Sequence, residues 1–159
     1  MDIQSTVNTW DDLNLKTDLL RGIYAYGFEN PSDIQKKGIF PIINGNDVIA
    51  QAQSGSGKTG TFSISSLQLV DTNINETQVI IIAPTRELAN QIQSVLTNIG
   101  NNMNELCVKS LVGGTSIKTD ISHMRKQIPH IIVGCAGRIL DMIHRKRINV
   151  ETVKLFILD

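Results

Sequence analysis

The sequence contains few aromatic residues and no excess of charge of either sign. Phe, Trp and Tyr make up 4% of its 159 residues, and Trp10 is the single tryptophan. The 15 lysine and arginine residues balance the 15 aspartate and glutamate residues, so the formal net charge is zero. The charge of the whole domain therefore does not attract a polyanion, and any such partner requires a local surface.

Cysteines and long apolar segments are also scarce. Cys107 and Cys135 are the two cysteines and lie far apart without the spacing of metal ligands, which favours a reducing intracellular compartment, cytoplasmic or nuclear. Residues 1–5 lack the basic-then-apolar order of a signal peptide, and no apolar run approaches the roughly 20 residues that cross a bilayer. The sequence therefore predicts a soluble protein with no membrane partner.

Short apolar runs alternate with segments of helical period in a chain of one domain's length. The run 79–83 is apolar throughout, which is typical of a strand covered on both faces and hence of a parallel sheet. The clearest helix spans 86–99, and two earlier helices are predicted to end near Gly27 and to begin near Ser32. The predicted fold class is α/β, a parallel β-sheet flanked by helices on both faces, with strands in the apolar runs 48–52, 78–83, 106–112, 130–134 and 154–158.

Residues 52–59 (AQSGSGKT), here called the phosphate loop, form the most informative motif. They follow an apolar run and precede a helical segment, which is the context of a phosphate-binding loop. Gly55 and Gly57 permit a tight turn that brings backbone N–H groups against an anion, and the helix adds its positive dipole end. Lys58 suits the β- and γ-phosphates of a nucleotide, and the Thr59 hydroxyl suits Mg²⁺. Because the strict pattern begins with glycine and not alanine, a plain connection between strand and helix is the alternative.

The stretch 27–35 (GFENPSDIQ) has two interpretations. Ser32 and Gln35 have the spacing of a capping box, in which both side chains satisfy backbone donors at a helix start, and spacing alone favours this interpretation. The Gln35 amide also offers a donor and an acceptor together, as the edge of adenine requires. Trp10 either stacks on a base or anchors the N-terminal segment to the core.

Residues 84–86 follow the predicted strand 78–83. Thr85 is placed to cap the next helix, and Arg86 lies in its first turn. The ordinary interpretation is a strand-to-helix turn with a surface arginine. The functional interpretation is a phosphodiester site that uses helix N–H groups and the threonine hydroxyl.

Three other strand ends carry residues with similar alternatives. Gly113 and Gly114 permit close backbone approach, or they form an ordinary turn. Arg138 either pairs with a phosphate or is a solvated residue at a helix start. Asp159 ends an apolar strand, a position from which phosphate-loop proteins commonly hold Mg²⁺.

Together these motifs resemble those of the DEAD-box RNA helicases. Residues 27–35 resemble the Q motif, with Trp10 as its upstream aromatic residue, and the phosphate loop resembles motif I, which normally begins with alanine. Residues 84–89 (PTRELA) resemble motif Ia, Gly113-Gly114 resembles the GG motif, and Asp159 resembles the first letter of Asp-Glu-Ala-Asp. Residues 19–27 and 50–60 are similar to the translation initiation factor 4A subfamily, which includes its exon-junction paralogue.

The resemblance implies the first of two RecA-like domains of an ATP-dependent RNA helicase, with 1–26 as an N-terminal segment and 27–159 as the domain. It implies ATP and Mg²⁺ as cofactors. The implied partners are RNA held by its backbone, a second helicase domain, and translation-initiation or exon-junction scaffold proteins. The resemblance assigns catalysis to Lys58, Thr59 and Asp159, with Thr59 and Asp159 as metal ligands; nucleotide binding to Trp10, Gln35, Ser54, Gly55, Ser56, Gly57, Lys58, Thr59 and Gly60; and RNA binding to Pro84, Thr85, Arg86, Gly113, Gly114 and Arg138.

The sequence departs from the family pattern at two places. Cys135-Ala136 stands where the family usually has Thr-Pro, which removes a helix cap and a first-turn proline. The glutamate that follows Asp159 in the family, and the second domain, lie outside the 159 residues, so we expect this chain alone to have negligible turnover. The alternatives are a non-catalytic nucleotide-binding or helicase-partner module and an unrelated phosphate-loop enzyme such as a small kinase, which leaves 27–35 and 84–89 unexplained.

Overall fold

The computed structural model describes residues 7–159. The predicted lack of a signal peptide concerns residues 1–5, which lie outside the described residues. The helices are α1 (Thr17–Ala25), α2 (Asp33–Ile43), α3 (Lys58–Leu69), α4 (Arg86–Ile99), α5 (Ile117–Lys126) and α6 (Ala136–His144), with short 3-10 helices at Trp10–Leu13 and Gly100–Asn102. The strands are β1 (Val79–Ile82), β2 (Val108–Leu111), β3 (Ile131–Gly134) and β4 (Leu155–Leu158). None of the helices in this described part of the chain is long and apolar enough to span a membrane.

The described strands form one parallel sheet in the order β2-β3-β1-β4. The connection from β1 through α4 to β2 runs toward one edge of the sheet, and the connections through α5 and α6 run toward the other edge. Because such crossovers are right-handed, α4 lies on one face and α5 and α6 lie on the opposite face. The predicted α/β class, with a parallel sheet flanked by helices, is confirmed.

The core of the sheet explains why its central strands are apolar at every position. Ile80 and Ile132 share one face and pack in a buried cluster with Met124 of α5 and Met142 of α6. Ile81 points to the opposite face, since successive strand side chains alternate, and it is fully buried there. A strand buried on both faces cannot alternate apolar with polar residues.

Several helix boundaries follow the local signals. Ser32 and Gln35 form the predicted capping box at the start of α2. The helix α4 spans the predicted residues 86–99, and Thr85 Oγ1 accepts a hydrogen bond from the Leu88 N–H at 3.2 Å. Gly27 follows the end of α1 with a φ of 98°, a conformation that glycine adopts without strain.

The predicted strand at 48–52 is wrong. These residues belong to no strand of the sheet, and Ile49 is fully exposed. The run contains only three successive apolar residues between Asp47 and Gln51. A strand also needs a hydrogen-bonded neighbour, which a local run does not specify. The other four predicted runs contain β1 to β4.

The chain divides into two compact units. In the described part of the chain, the first unit comprises residues 7–69 with Asn98–Met103, and the second unit comprises Val70–Thr97 with Asn104–Asp159 and contains the whole sheet. Within the first unit, α2 and α3 approach closely, because a Cβ atom added at Gly38 would lie 2.8 Å from a side-chain carbon of Thr61. Small residues therefore allow this helix contact.

Among the glycines of the first unit, Gly22 of α1 leaves the least room for a side chain. A Cβ atom at this position would lie 1.8 Å from the Ile99 carbonyl oxygen, which is backbone and has no room to move aside. We expect Gly22→Ala to destabilise the protein by about 3 kcal/mol, the upper range for overpacking. Urea unfolding measures this difference. Gly137→Ala is the control, since Gly137 lies in α6 with no atom within 4 Å of an added Cβ; it should be neutral or stabilising by up to about 1 kcal/mol. Equal effects of the two variants would contradict this packing.

His130 is a buried titratable residue beside the sheet. Its side chain is 3% exposed, and its Nδ1 accepts a hydrogen bond from the Cys107 N–H at 3.0 Å. Burial lowers the pKa of His130, and this effect outweighs the opposing influence of the Thr72 backbone and of the carboxylates of Asp71 and Glu105. The folded protein therefore binds this proton more weakly than the unfolded chain does.

We expect the free energy of unfolding to decrease as the pH falls below about 6.5, the ordinary histidine pKa, because the unfolded chain takes up a proton that folded His130 does not. Urea unfolding between about pH 7.5 and 5.5, above the range where most carboxylates titrate, measures this dependence. His130→Asn keeps a hydrogen-bond acceptor without a titrating group and should reduce the slope. His144→Asn, at an exposed histidine, is the control and should keep it. An unchanged slope in His130→Asn would contradict the prediction.

Candidate functional site

The phosphate loop has the backbone geometry that its glycines predict. Gly55 and Gly57 have φ values of 80° and 103°, which residues with side chains rarely adopt. Lys58 is the first residue of α3, so the loop leads directly into the N-terminus of a helix of twelve residues. The tight turn and the helix start are both confirmed.

Two hydrogen bonds from the start of α2 orient the peptides of the loop. Ser32 Oγ donates to the Ser56 carbonyl at 2.9 Å, and Gln35 Nε2 donates to the Gly57 carbonyl at 3.3 Å. In a planar trans peptide the carbonyl and the following N–H point in opposite directions. The N–H groups of Gly57 and Lys58 therefore point away from α2, as a backbone anion site at a helix N-terminus requires.

Gln35 serves the capping box and the phosphate loop at once. Its side chain is 4% exposed, and its Oε1 accepts a hydrogen bond from the Ser32 N–H at 2.8 Å. A primary amide has two N–H donors and two lone pairs, so one donor and one acceptor remain after these contacts. Glycine at positions 57 and 60 makes room for this amide, because an added Cβ would lie 2.8 Å and 2.6 Å from Nε2. The capping role is confirmed, and the contact with adenine stays a prediction.

Trp10 anchors the N-terminal segment of the first unit. It is fully buried, its Nε1 donates to the Phe28 carbonyl at 3.1 Å, and its ring stacks on Phe28 with 6.1 Å between centroids. Tyr26 packs edge-on against the Phe28 ring. A buried indole has no face free for a base, so the anchoring alternative is realised. Any effect of Trp10 on a nucleotide would act through Phe28, whose ring lies against Gly60.

The remaining predicted nucleotide-binding residues lie along the phosphate loop and the first turn of α3. Lys58 Nζ donates to the Ala52 carbonyl at 2.6 Å, which places the ammonium across the loop from the helix start. Ser56 Oγ is buried and has no hydrogen-bond partner among residues 7–159. Ser54 is exposed and Thr59 is half-buried. The loop thus combines an ammonium, hydroxyls and backbone N–H groups.

The second group of predicted residues lies at the carboxyl ends of the strands in the second unit, an end of the sheet that is called the sheet edge from here on. Within residues 7–159, the four strands end at Ile82, Leu111, Gly134 and Leu158. The strand register pairs Ile82 with Gly134 and with Leu158, and it pairs Leu111 with Gly134. All four strands therefore end on one line across the sheet. The residues that follow this line are Pro84, Thr85, Arg86, Gly113, Gly114, Arg138 and Asp159.

Arg86 and Gly114 are in close contact at this edge. A Cβ atom added at Gly114 would lie 3.0 to 3.2 Å from the guanidinium atoms of Arg86, and Gly114 has a φ of 83°. Pro84, Thr85 and Arg86 are all exposed. A glycine with positive φ therefore lets an exposed arginine lie directly on the backbone of the neighbouring loop.

Asp159 and Arg138 differ in how they are presented. Asp159 is exposed, and its N–H donates to the Ile82 carbonyl at 3.0 Å, which continues the sheet by one bond. The Arg138 side chain is 9% exposed, and its guanidinium donates to Asp120 Oδ2 at 2.7 Å and to the Thr115 carbonyl at 2.9 Å. The predicted contact of Arg138 with RNA therefore has no exposed guanidinium to support it.

Sequence reasoning missed Asp120 and Thr115, the partners of Arg138. Asp120 lies in the first turn of α5, where an acidic residue is expected simply for its favourable interaction with the helix dipole. Thr115 is one of several polar residues in a turn. Their contact with Arg138 depends on two strand ends meeting at one edge, which no local signal shows.

Comparison with known protein families finds that a single family model spans most of these motifs. The family model described as DEAD/DEAH box helicase matches residues 32–159. The match begins at the serine that contacts the phosphate loop and includes the whole sheet edge.

Curated relatives and solved structures agree with this match. The chain is 54% identical over 154 residues to the ATP-dependent RNA helicase eIF4A of Pyricularia oryzae, covering 97% of this chain and 38% of the relative. It is 56% identical over 153 residues to that of Yarrowia lipolytica, covering 96% of this chain and 38% of the relative. The chain thus spans about two fifths of the length of these relatives.

Two solved structures have the same fold. A DEAD box protein from the hyperthermophile Methanococcus jannaschii superposes with a TM-score of 0.88 at 40% identity, over 96% of this chain and 41% of that chain. Saccharomyces cerevisiae Dbp5 bound to RNA and ADP BeF3 superposes with a TM-score of 0.84 at 37% identity, over 95% of this chain and 38% of that chain. From its motifs, its sheet and these similarities, the chain belongs to the DEAD/DEAH box helicase family.

Proposed function

We propose that this chain is the N-terminal ATP- and RNA-binding domain of an ATP-dependent RNA helicase. The observation that carries the proposal is the geometry of the phosphate loop. Ser32 and Gln35 bind two carbonyls of the loop, and the N–H groups that follow these carbonyls therefore point away from α2. The curated relatives are named ATP-dependent RNA helicases, which supports the same activity for the full-length protein.

The donor set of the loop fits the phosphates of a nucleotide. Backbone N–H groups at the start of α3 and the Lys58 ammonium would bind them, and Ser56 Oγ is a buried hydroxyl whose donor has no other partner among the described residues. Ser54, Gly55 and Gly60 complete the loop. The Thr59 hydroxyl would be an oxygen ligand of the kind that Mg²⁺ prefers, and Mg²⁺ would neutralise phosphate charge. In the second unit, the exposed Asp159 carboxylate is a candidate ligand of the same kind.

Gln35 is the proposed reader of the base. Its remaining N–H and lone pair match the donor and acceptor on the edge of adenine, whereas guanine presents an acceptor in place of the adenine amino group. Because the same amide holds the Gly57 carbonyl, base recognition and the shape of the phosphate loop are linked through one side chain.

The proposed RNA surface is the sheet edge that carries Pro84, Thr85, Arg86, Gly113 and Gly114, with Arg138 beside it. Helix α4 begins there, and a helix N-terminus with a neighbouring hydroxyl and arginine binds phosphate. Contacts with the backbone of RNA carry little sequence information, so the domain would bind RNA with little sequence preference. A local surface of this kind is compatible with zero net charge.

The activity of the full-length protein is part of the proposal. ATP hydrolysis would be coupled to unwinding of RNA duplexes together with a second RecA-like domain, and translation-initiation or exon-junction scaffold proteins are the proposed partners. The two free cysteines agree with an intracellular location, cytoplasmic or nuclear. The chain alone would bind nucleotide with negligible turnover.

We expect titration calorimetry to detect ATP and ADP binding in the presence of Mg²⁺. Lys58→Ala should weaken ATP binding by about tenfold or more, because a charge-assisted hydrogen bond to phosphate is lost. Lys37→Ala, which removes an exposed lysine of α2, is the control and should leave the affinity unchanged. Absence of ATP binding to the wild-type chain at high nucleotide concentration would overturn the proposal.

Gln35→Ala should reduce the preference for ATP over GTP, because it removes the amide that matches adenine. Ser32→Ala is the matched control, since it breaks the capping box and one bond to the loop but keeps the amide. Both variants should bind nucleotide more weakly, and Ser32→Ala alone should keep the ratio of ATP to GTP affinity. The same ratio in Gln35→Ala would leave this residue with a structural role only.

A further inference from the structure

A buried ion pair lies behind the Gly113-Gly114 turn in the second unit. Arg138 Nη1 donates to Asp120 Oδ2 at 2.7 Å, and the two side chains are 9% and 7% exposed. Lys109 Nζ lies 3.7 Å from the other carboxylate oxygen of Asp120 and 3.1 Å from His123 Nδ1. Strand β2 and the helices α5 and α6 thus supply a connected group of charged and polar side chains, Lys109, Asp120, His123 and Arg138, here called the Asp120 cluster.

The Asp120 cluster is bonded to the turn through Thr115. Arg138 Nη2 donates to the Thr115 carbonyl at 2.9 Å, and Nη1 also donates to Thr115 Oγ1 at 3.1 Å. Thr115 Oγ1 donates in turn to the Val112 carbonyl at 2.9 Å. The guanidinium therefore holds both ends of the turn formed by residues 112–115, one directly and the other through the threonine hydroxyl.

These contacts leave Arg138 poorly suited to bind a phosphate itself. To reach solvent it would have to break its bond with Asp120, a carboxylate that is 7% exposed. Asp120 would then keep two weaker contacts, Lys109 Nζ at 3.7 Å and Thr115 Oγ1 at 3.4 Å. An unpaired buried charge is strongly unfavourable. Arg86, in contrast, is exposed and lies against Gly114.

We propose that Asp120 and Arg138 are positioning residues for RNA binding: their ion pair fixes the turn at 112–115, and Arg138 acts through Thr115 and does not contact an RNA phosphate. The inference rests on the proposed function, because it concerns the RNA surface of that site. It assigns the direct phosphate contacts at this edge to Arg86, to the start of α4 and to the backbone of the turn.

Asp120→Asn separates this proposal from direct binding by Arg138, because the two predict opposite signs. If Arg138 is a positioning residue, loss of the ion pair loosens the turn, and the affinity for RNA falls by about tenfold, as expected for a lost hydrogen bond between charged groups. If Arg138 binds phosphate directly, neutralising Asp120 frees the arginine and removes a negative charge, so the affinity rises. Fluorescence anisotropy of a labelled oligouridylate measures both outcomes.

The salt dependence of binding gives a second readout. Arg138→Gln should weaken binding but leave the slope of log K against log [KCl] unchanged, whereas loss of a direct phosphate contact would reduce that slope by about 0.7. The control is Asp141→Asn, which breaks a different ion pair, that of Asp141 in α6, with 2.9 Å between Arg145 Nε and Asp141 Oδ2. This pair is more exposed to solvent than the pair of Arg138 and Asp120. This control should change neither the affinity nor the slope appreciably.

The double variant Asp120→Asn with Arg138→Gln keeps the test decisive where a single variant does not fold, because it leaves neither charge of the pair unpaired. The proposal predicts weaker binding than wild type with the wild-type slope, and with an effect smaller than the product of the single effects, since both changes remove the same interaction. A reduced slope or tighter binding would overturn it.

ATP affinity, measured by calorimetry on the same samples, distinguishes failure of this inference from failure of the proposed function. Wild-type binding of both ATP and oligouridylate, with an Asp120→Asn affinity for RNA equal to or above that of wild type, would reject the positioning role alone. Lack of RNA binding by the wild-type chain would reject the proposed function and the positioning role with it.

Discussion

Parallel hydrogen bonding places the last residues of the four described strands on one line across the sheet, and the second group of predicted functional residues depends on this register. Ile82, Leu111, Gly134 and Leu158 are paired neighbours, so the segments that follow them emerge side by side. Gly134 shows how tightly the line is held, because a Cβ there would lie 2.0 Å from the Leu111 carbonyl oxygen. A shift of one residue in any pair would separate the segments and reverse which side chains face the core.

In both groups of predicted functional residues, side chains bind backbone carbonyls of the loop and hold it in place. In the first unit, Ser32 and Gln35 hold the carbonyls of the phosphate loop. In the second unit, Arg138 holds the Thr115 carbonyl of the turn next to Gly114. A carbonyl that is bonded on the protein side directs the following N–H to the other side. The loops are therefore held in one orientation without a ligand, which would lower the entropy lost in the proposed binding.

Local sequence signals correctly predicted the features whose interaction partners are close in sequence. The capping box of Ser32 and Gln35, the limits of α4, and the positive φ of Gly57 all follow from residues within one helical turn or from the freedom of glycine. The predicted strand at 48–52 failed because strand pairing depends on a distant partner. The choice between the two roles of Trp10 was left open by the sequence for the same reason, since Phe28 lies 18 residues away.

The sequence by itself determined the parallel α/β class, the phosphate loop and the residues available at each strand end, because hydrophobic period, glycine content and helix caps are local properties. Only the tertiary structure decided that Trp10 is buried and that Arg138 is engaged with Asp120, residues 18 positions apart. The physical reason is that burial and ion pairing depend on which strand ends and helices meet, and an arginine in the first turn of a helix has the same local sequence whether it faces solvent or a carboxylate.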